Sequence, residues 1–313
     1  MPSIWLLCSC NEFFLRGDEP VAVDPVIVTE TFVQEALPAV DILWVVDDTE
    51  SMSQELQALG ATADEFVESL NGFELSWQLG LVTMDTSGID DGILRGDPWI
   101  VTPETDDAAA VFEQTLALDP SGSAQEAGFA SVLYALTPPV IDDENRGFRR
   151  EHAALEVVFF SDGDDDGDSD AELDGDGLAM FLDLLSEEAA RSGEPAVASA
   201  IVGDVPSGCF GEGNQQAVPG TRFAEAAKAT DGIVASVCAL ELGPIVQKIG
   251  ETGAVWPTVF HLQARPDPDT IRVEIDDVQI DDGWSISLDP SVIEFEQAPP
   301  ADSRIVVQYE VAS

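Results

Sequence analysis

Two apolar runs that end on acidic, hydroxyl-bearing turns constrain this chain more than any other feature. Ile42-Leu43-Trp44-Val45-Val46 is unbroken, and Leu155 to Phe160 holds a single Glu among apolar residues. Runs of this length without polar alternation fit strands buried on both faces of a parallel sheet. The surrounding text supports that. Further strand-like segments are Val26 to Phe32, at an edge, Trp77 to Val82, Ala196 to Val202 and Ile233 to Val237. Between them, helical spacing predicts helices over Ser51 to Leu70, Ala108 to Leu118, Gln125 to Leu136, Leu178 to Ala190, Arg222 to Ala229 and Leu242 to Ile249. Strands alternating with helices predict an α/β fold with a doubly wound, mostly parallel central sheet covered on both faces.

After Trp256-Pro257 the pattern changes to short alternating strands separated by Pro, Asp and Gly turns, with no evident helix. The expected organisation is therefore a tether over 1–25, an α/β domain over 26–253 and a small all-β domain over 256–313. There is no run of about 18 apolar residues, hence no candidate transmembrane helix. Leu7-Cys8-Ser9-Cys10 is similar to a bacterial lipobox, which would make Cys10 a lipidation site, although a basic n-region is missing. An ordinary chain terminus is the plainer reading of the same residues. Cys209 and Cys238 read as one disulfide in an exported protein or as two buried thiols in a cytosolic one. Export to the cell envelope or outer surface is the preferred expectation.

Charge narrows the partners. Twelve Lys and Arg against 61 Asp and Glu give a formal net charge of −49 over 313 residues. A nucleic-acid backbone needs clustered basic side chains, so that class is excluded as a default partner. Anionic lipid is disfavoured on the same ground. Yet 45% of residues are hydrophobic, enough for a folded core.

Ligands of α/β sheets bind at the carboxyl ends of the strands. The first apolar run ends in Asp47-Asp48-Thr49-Glu50-Ser51, placing one carboxylate and two hydroxyls at alternate positions. The other ends in Ser161-Asp162-Gly163, and Ser121-Gly122-Ser123 precedes the helix expected from Gln125. Three loops thus offer oxygen donors alone, which suits a hard divalent cation, Mg²⁺ rather than Ca²⁺ where waters complete the shell. The plainer reading of Asp47-x-Thr49-x-Ser51 is a helix N-cap, which accounts for one oxygen but not for three loops.

Over about residues 26–250 the chain resembles the von Willebrand factor type A domain. That family carries a metal-ion-dependent adhesion site built from Asp-x-Ser-x-Ser, a later Thr and a final Asp. By resemblance these fall on Asp47, Thr49 and Ser51, on Ser123, whose following helix carries Gly128, and on Asp162. The resemblance implies Mg²⁺ (or Mn²⁺ or Ca²⁺) held largely by hydroxyls, with a partner's acidic group completing the coordination. It implies a non-enzymatic adhesion protein whose partner is a protein or polyanion. Asp48 and Glu50 depart from the pattern and add negative charge; Glu50 could fill the open position itself.

Asp162-Gly-Asp-Asp-Asp-Gly-Asp-Ser-Asp170 partly matches a calcium loop, with Asp164, Asp166, Asp168 and Asp170 as candidate ligands for a second Ca²⁺. Leu173 stands where a bidentate Glu is required, so a solvated acidic loop is the simpler account. A carboxylate-based metallohydrolase is the alternative function, and a structural protein with a vestigial site a third. No general base presents itself: His152 and His261 are the only histidines, and neither adjoins a candidate motif.

Overall fold

The computed structural model describes residues 26–34, 37–86, 91–118, 126–166, 176–211, 216–239, 241, 243–253 and 256–312. The first element among the described residues is β1 (Ile27–Val33), and the chain enters the central sheet at β2 (Ala39–Val46), all of whose residues are buried. Helices α1 (Ser53–Gly60) and α2 (Ala63–Asn71) lead to β3 (Ser76–Thr83), and α3 (Ala108–Leu116) and α4 (Gly128–Leu136) to β4 (Ala153–Phe160). Helix α5 (Gly177–Ser192) precedes β5 (Ala196–Val202), which runs on to a small hairpin of β6 (Cys209–Phe210) and β7 (Gln216–Ala217). Helix α6 (Thr221–Ala229), β8 (Val234–Ser236) and α7 (Gly243–Gly253) complete the layer structure.

The central sheet has the order β3-β2-β4-β5-β8, and each neighbouring pair is parallel. The α/β expectation holds. Alternate residues of the strands feed two cores. Val40, Ile42, Trp44 and Val46 face α1, α2, α3 and α7, with Trp44 edge-on to Phe66 at 5.5 Å between ring centres. Leu43, Val45, Val157 and Phe159 face α4, α5 and α6, where Phe129, Phe159, Phe181 and Phe223 stack together. Such rings dominate the burial energy of a core. Gly128, in the first turn of α4, is required by this packing: a Cβ there would lie 2.6 Å from the Phe223 ring.

The remaining strands, β9 (Val259–His261), β10 (Arg272–Ile275), β11 (Val278–Ile280), β12 (Trp284–Leu288), β13 (Ser291–Phe295) and β14 (Arg304–Glu310), form two antiparallel sheets around a third core. The all-β appendage is as expected in kind, but it recruits one strand from far away in sequence. β1, expected within the 26–253 block, pairs with β14 along all seven residues. Its pattern explains why. Only Val28, Glu30 and Phe32 turn inward, which fits a sheet wet on one face rather than one buried on both. The inward carboxylate is satisfied: Tyr309 Oη–H donates to Glu30 Oε1 at 2.5 Å and the Gln263 N–H at 3.0 Å.

Two further differences are local. The helix expected over Ser51 to Leu70 is divided, because Thr62 N–H turns back to the Leu59 carbonyl and the Thr62 hydroxyl bonds the same oxygen at 2.7 Å. The helix expected from Gln125 starts at Gly128, since the Ala127 N–H is taken by the Met84 carbonyl at the end of β3.

Candidate metal centre

The sheet order creates the site. The chain passes from β2 to β3 on one side and then crosses to β4 on the other, so a crevice opens between the carboxyl ends of β2 and β4. Val46 and Phe160 are register partners there, and Asp47 and Asp162 follow just beyond them. Asp47 N–H still reaches the Phe160 carbonyl at 3.0 Å, which fixes the backbone of the first ligand candidate to the neighbouring strand.

Asp47 is fully buried. Its Oδ1 accepts the Thr49 N–H at 2.9 Å and its Oδ2 the Ser161 hydroxyl at 2.7 Å. Both oxygens are thereby engaged by groups of the protein itself. Thr49 caps a 3-10 turn over Glu50–Met52 that leads into α1. The Thr49 and Ser51 hydroxyl oxygens lie 3.0 Å apart, and Ser51 Oγ–H donates to Asp162 Oδ1 at 3.2 Å. The Asp162 N–H is directed at Met52 Sδ, so the turn that carries the hydroxyls also holds the opposing loop.

These spacings fit a small hard cation. Oxygens bound to Mg²⁺ at about 2.1 Å in an octahedron are separated by about 3.0 Å along each edge. Thr49 Oγ1, Ser51 Oγ and Asp162 Oδ1 form a chain with steps close to that value. The electrostatics match. Burial, reinforced by the Asp47 charge, pushes the Asp162 carboxyl up to about 6. Burial also raises Asp48 to about 6, with Asp85 and Asp47 adding to it and Arg95 opposing. Among the described residues neither Asp47 nor Asp162 has an ion-pair partner. No cage of three His, Cys, Asp or Glu side chains occurs among the described residues; a centre here depends on hydroxyls as well as carboxylates.

The other expected site residues divide. Ser123, Asp168 and Asp170 lie outside the described residues. Glu50 is exposed at the start of the 3-10 turn. In the acidic loop, Asp164 Oδ1 accepts the N–H groups of Asp165 and Arg222, and Asp165 accepts Phe129 N–H at the start of α4 and Arg222 Nε. Asp176 caps α5 through Leu178 N–H and meets Arg222 Nη2 at 3.2 Å. One arginine and the N-termini of α4, α5 and α6 thus organise the described part of the loop. Asp166 contributes its N–H to the Glu126 carbonyl. Cys209 and Cys238 are joined in a disulfide that ties the β6–β7 hairpin to the segment after β8. Glu126, which no motif singled out, lies against Gly163 in the loop after β4, and burial together with the charges of Asp47, Asp166 and Asp162 pushes its carboxyl up to about 7.

No family model matches the chain, and no curated protein matches it. Among solved structures it is similar to proximal thread matrix protein 1 from the mussel byssus with a zinc-occupied MIDAS motif (14% identity, TM-score 0.41, covering 71% of this chain and 47% of that one). It is also similar to a von Willebrand factor type A protein from Catenulispora acidiphila (13%, TM-score 0.39, covering 92% and 66%). The pilus adhesin SpaC from Lactobacillus rhamnosus GG, in an open conformation, follows at 11% and a TM-score of 0.40, covering 91% of this chain and 40% of its own. The chain spans about half the length of the mussel protein.

Proposed function

We propose that this protein is a type A-like, metal-dependent binding protein of the cell envelope, which presents a divalent cation to an acidic group on a protein or polyanionic partner. The observation that carries this reading is the convergence of Asp47, Thr49, Ser51 and Asp162 at the β2/β4 crevice. There Ser51 bridges the two loops by its 3.2 Å bond to Asp162. Thr49, Ser51 and Asp162 would hold the cation directly, Asp47 would balance its charge from behind, and Ser123 is the proposed donor from the third loop. Mg²⁺ is the favoured ion, with Mn²⁺ or Ca²⁺ as substitutes.

A bound cation would supply a positive, oxygen-seeking centre at an otherwise acidic surface. Neutral hydroxyls would leave it electrophilic, so a partner carboxylate is the natural last ligand. Binding is favoured over hydrolysis by the position of the imidazoles. His152 precedes β4, at the opposite end from Asp162, and His261 lies on β9, so neither histidine reaches the crevice. The Cys209–Cys238 disulfide supports export, and lipidation at Cys10 would tether the domain to a membrane.

Calorimetric titration with Mn²⁺ tests the reading. A saturable event, reversed by EDTA and abolished in Asp47→Ala and Asp162→Ala, is expected. Identical binding in both variants and the parent protein would contradict it.

A further inference from the structure

We propose that Glu156 on β4 fastens α7 to the central sheet only while its carboxyl group keeps a proton, so that α7 is released locally as pH rises. The inference does not depend on the reading of the β2/β4 crevice.

Glu156 interrupts the apolar run of β4 and is fully buried. It alternates with Ala154, Val158 and Phe160, which places it on the face of the sheet that α7 covers. Ser199 Oγ–H, on β5, donates to Glu156 Oε1 at 2.6 Å, and the same hydroxyl accepts the Ile233 N–H at 3.1 Å. Oε2 has no hydrogen-bond partner among the described residues, and neither has the buried Thr252 Oγ1 of α7, the hydroxyl that acts on this carboxylate from the helix. The helix is set down closely here: a Cβ on Gly253 would stand 2.9 Å from Val40 Cβ on β2. Ile245, Ile249, Thr252 and Gly253 are all buried, so one face of α7 meets the sheet and Thr252 is its hydroxyl-bearing member.

Nothing nearby compensates a charge at this position. On the same face β2 presents Val40, Ile42 and Trp44, and β5 offers the Ser199 hydroxyl. The charged group that acts on Glu156 is Lys248 of α7, whose ammonium already lies 3.5 Å from Asp231 Oδ2. A carboxylate held out of water on so few donors is far costlier than the neutral acid. Burial accordingly pushes Glu156 up to about 7, with the Ser199 and Thr252 hydroxyls and Lys248 opposing. The neutral acid can bond in both directions, accepting from Ser199 on Oε1 and donating from Oε2 to Thr252. Once that proton leaves, lifting α7 lets water reach the charge. The stability of the contact is complete below the ordinary carboxylate range near 4.5 and is lost as pH rises through about 7.

Amide hydrogen exchange of the whole chain, read peptide by peptide by mass spectrometry between pH 5 and pH 8, tests this. After correction for the intrinsic rate, the opening of α7 should rise roughly 50-fold or more over that range, while β4 stays protected. Glu156→Gln, which keeps the shape and the Ser199 acceptor but cannot ionise, should hold α7 closed at both ends of the range. Thr252→Val keeps the acid and removes the hydroxyl that favours its charge, so its transition should move to higher pH; it carries the test if Glu156→Gln does not fold. A parent α7 whose opening ignores pH would overturn the proposal, as would equal pH dependence in Glu156→Gln or an unmoved transition in Thr252→Val. Opening of α7 and β4 in step would overturn it too, by showing global unfolding in place of a local release.

Discussion

Asp41 and Glu194 are both buried, yet the fold treats them in opposite ways. Asp41, on β2 at the end of the sheet remote from the crevice, is ion-paired with Arg149 and Arg150, the latter at 2.7 Å. Arg149 also meets Glu188 at 2.7 Å. Removing one partner from such a cluster strands the others, so Asp41→Asn should cost about 3 kcal/mol, read as a lower urea midpoint. Glu194, between α5 and β5, has no partner for either carboxylate oxygen among the described residues, and burial pushes it up to about 8. Its neutral form is the one the fold favours. The stability it contributes is complete below the ordinary carboxylate range near 4.5 and is lost as pH rises through about 8. Glu194→Gln should therefore melt about 3 °C above the parent at pH 9 and with it at pH 5; a gap independent of pH would contradict this. At the same scale, Asp47, Thr49, Ser51 and Asp162 could be singled out in the sequence because all four lie in the turns that end two apolar runs. The contacts of Glu126 and Arg222 could not, since they come from loops that meet only when β3, β4 and α6 have packed.

At the level of elements, strand identity in the parallel sheet was readable wherever both faces are buried, because composition alone then marks the strand. β1 shows where that signal stops. Its one-sided pattern signified a strand but not a partner, and its pairing with β14 closes almost the entire chain. That contact is long-range and involves Glu30, whose need for the Tyr309 hydroxyl no local rule contains. The break between α1 and α2 was hidden similarly, by a threonine competing for a helix carbonyl. The disulfide belongs to this scale. It closes a segment with a sequence separation of 29 and restrains the chain leading into α7. Loop entropy predicts that Cys209→Ser with Cys238→Ser loses about 3–4 kcal/mol of stability. Chemical denaturation of the parent with and without reductant should show the same difference, and none in the double variant.

For the molecule as a whole, the net charge of −49 separates into distinct tasks. Several of the twelve basic residues are spent on specific acids: Arg149 and Arg150 on buried Asp41, Arg191 on Glu188, Arg222 on the acidic loop, and exposed Arg304 on Asp277. What remains on the surface is overwhelmingly acidic, and it repels itself. Screening by salt shortens that repulsion to within about 3 Å at molar ionic strength. The melting temperature should therefore rise from low to molar NaCl, and a flat profile would count against this account. Divalent cations should act beyond screening, because a few of the acids converge on one place. Crystals soaked in Mn²⁺ and measured at its absorption edge test that most directly. The account predicts an anomalous peak in the β2/β4 crevice, within bonding distance of Ser51 and Asp162. Peaks confined to other acidic surfaces, with that crevice empty, would contradict it.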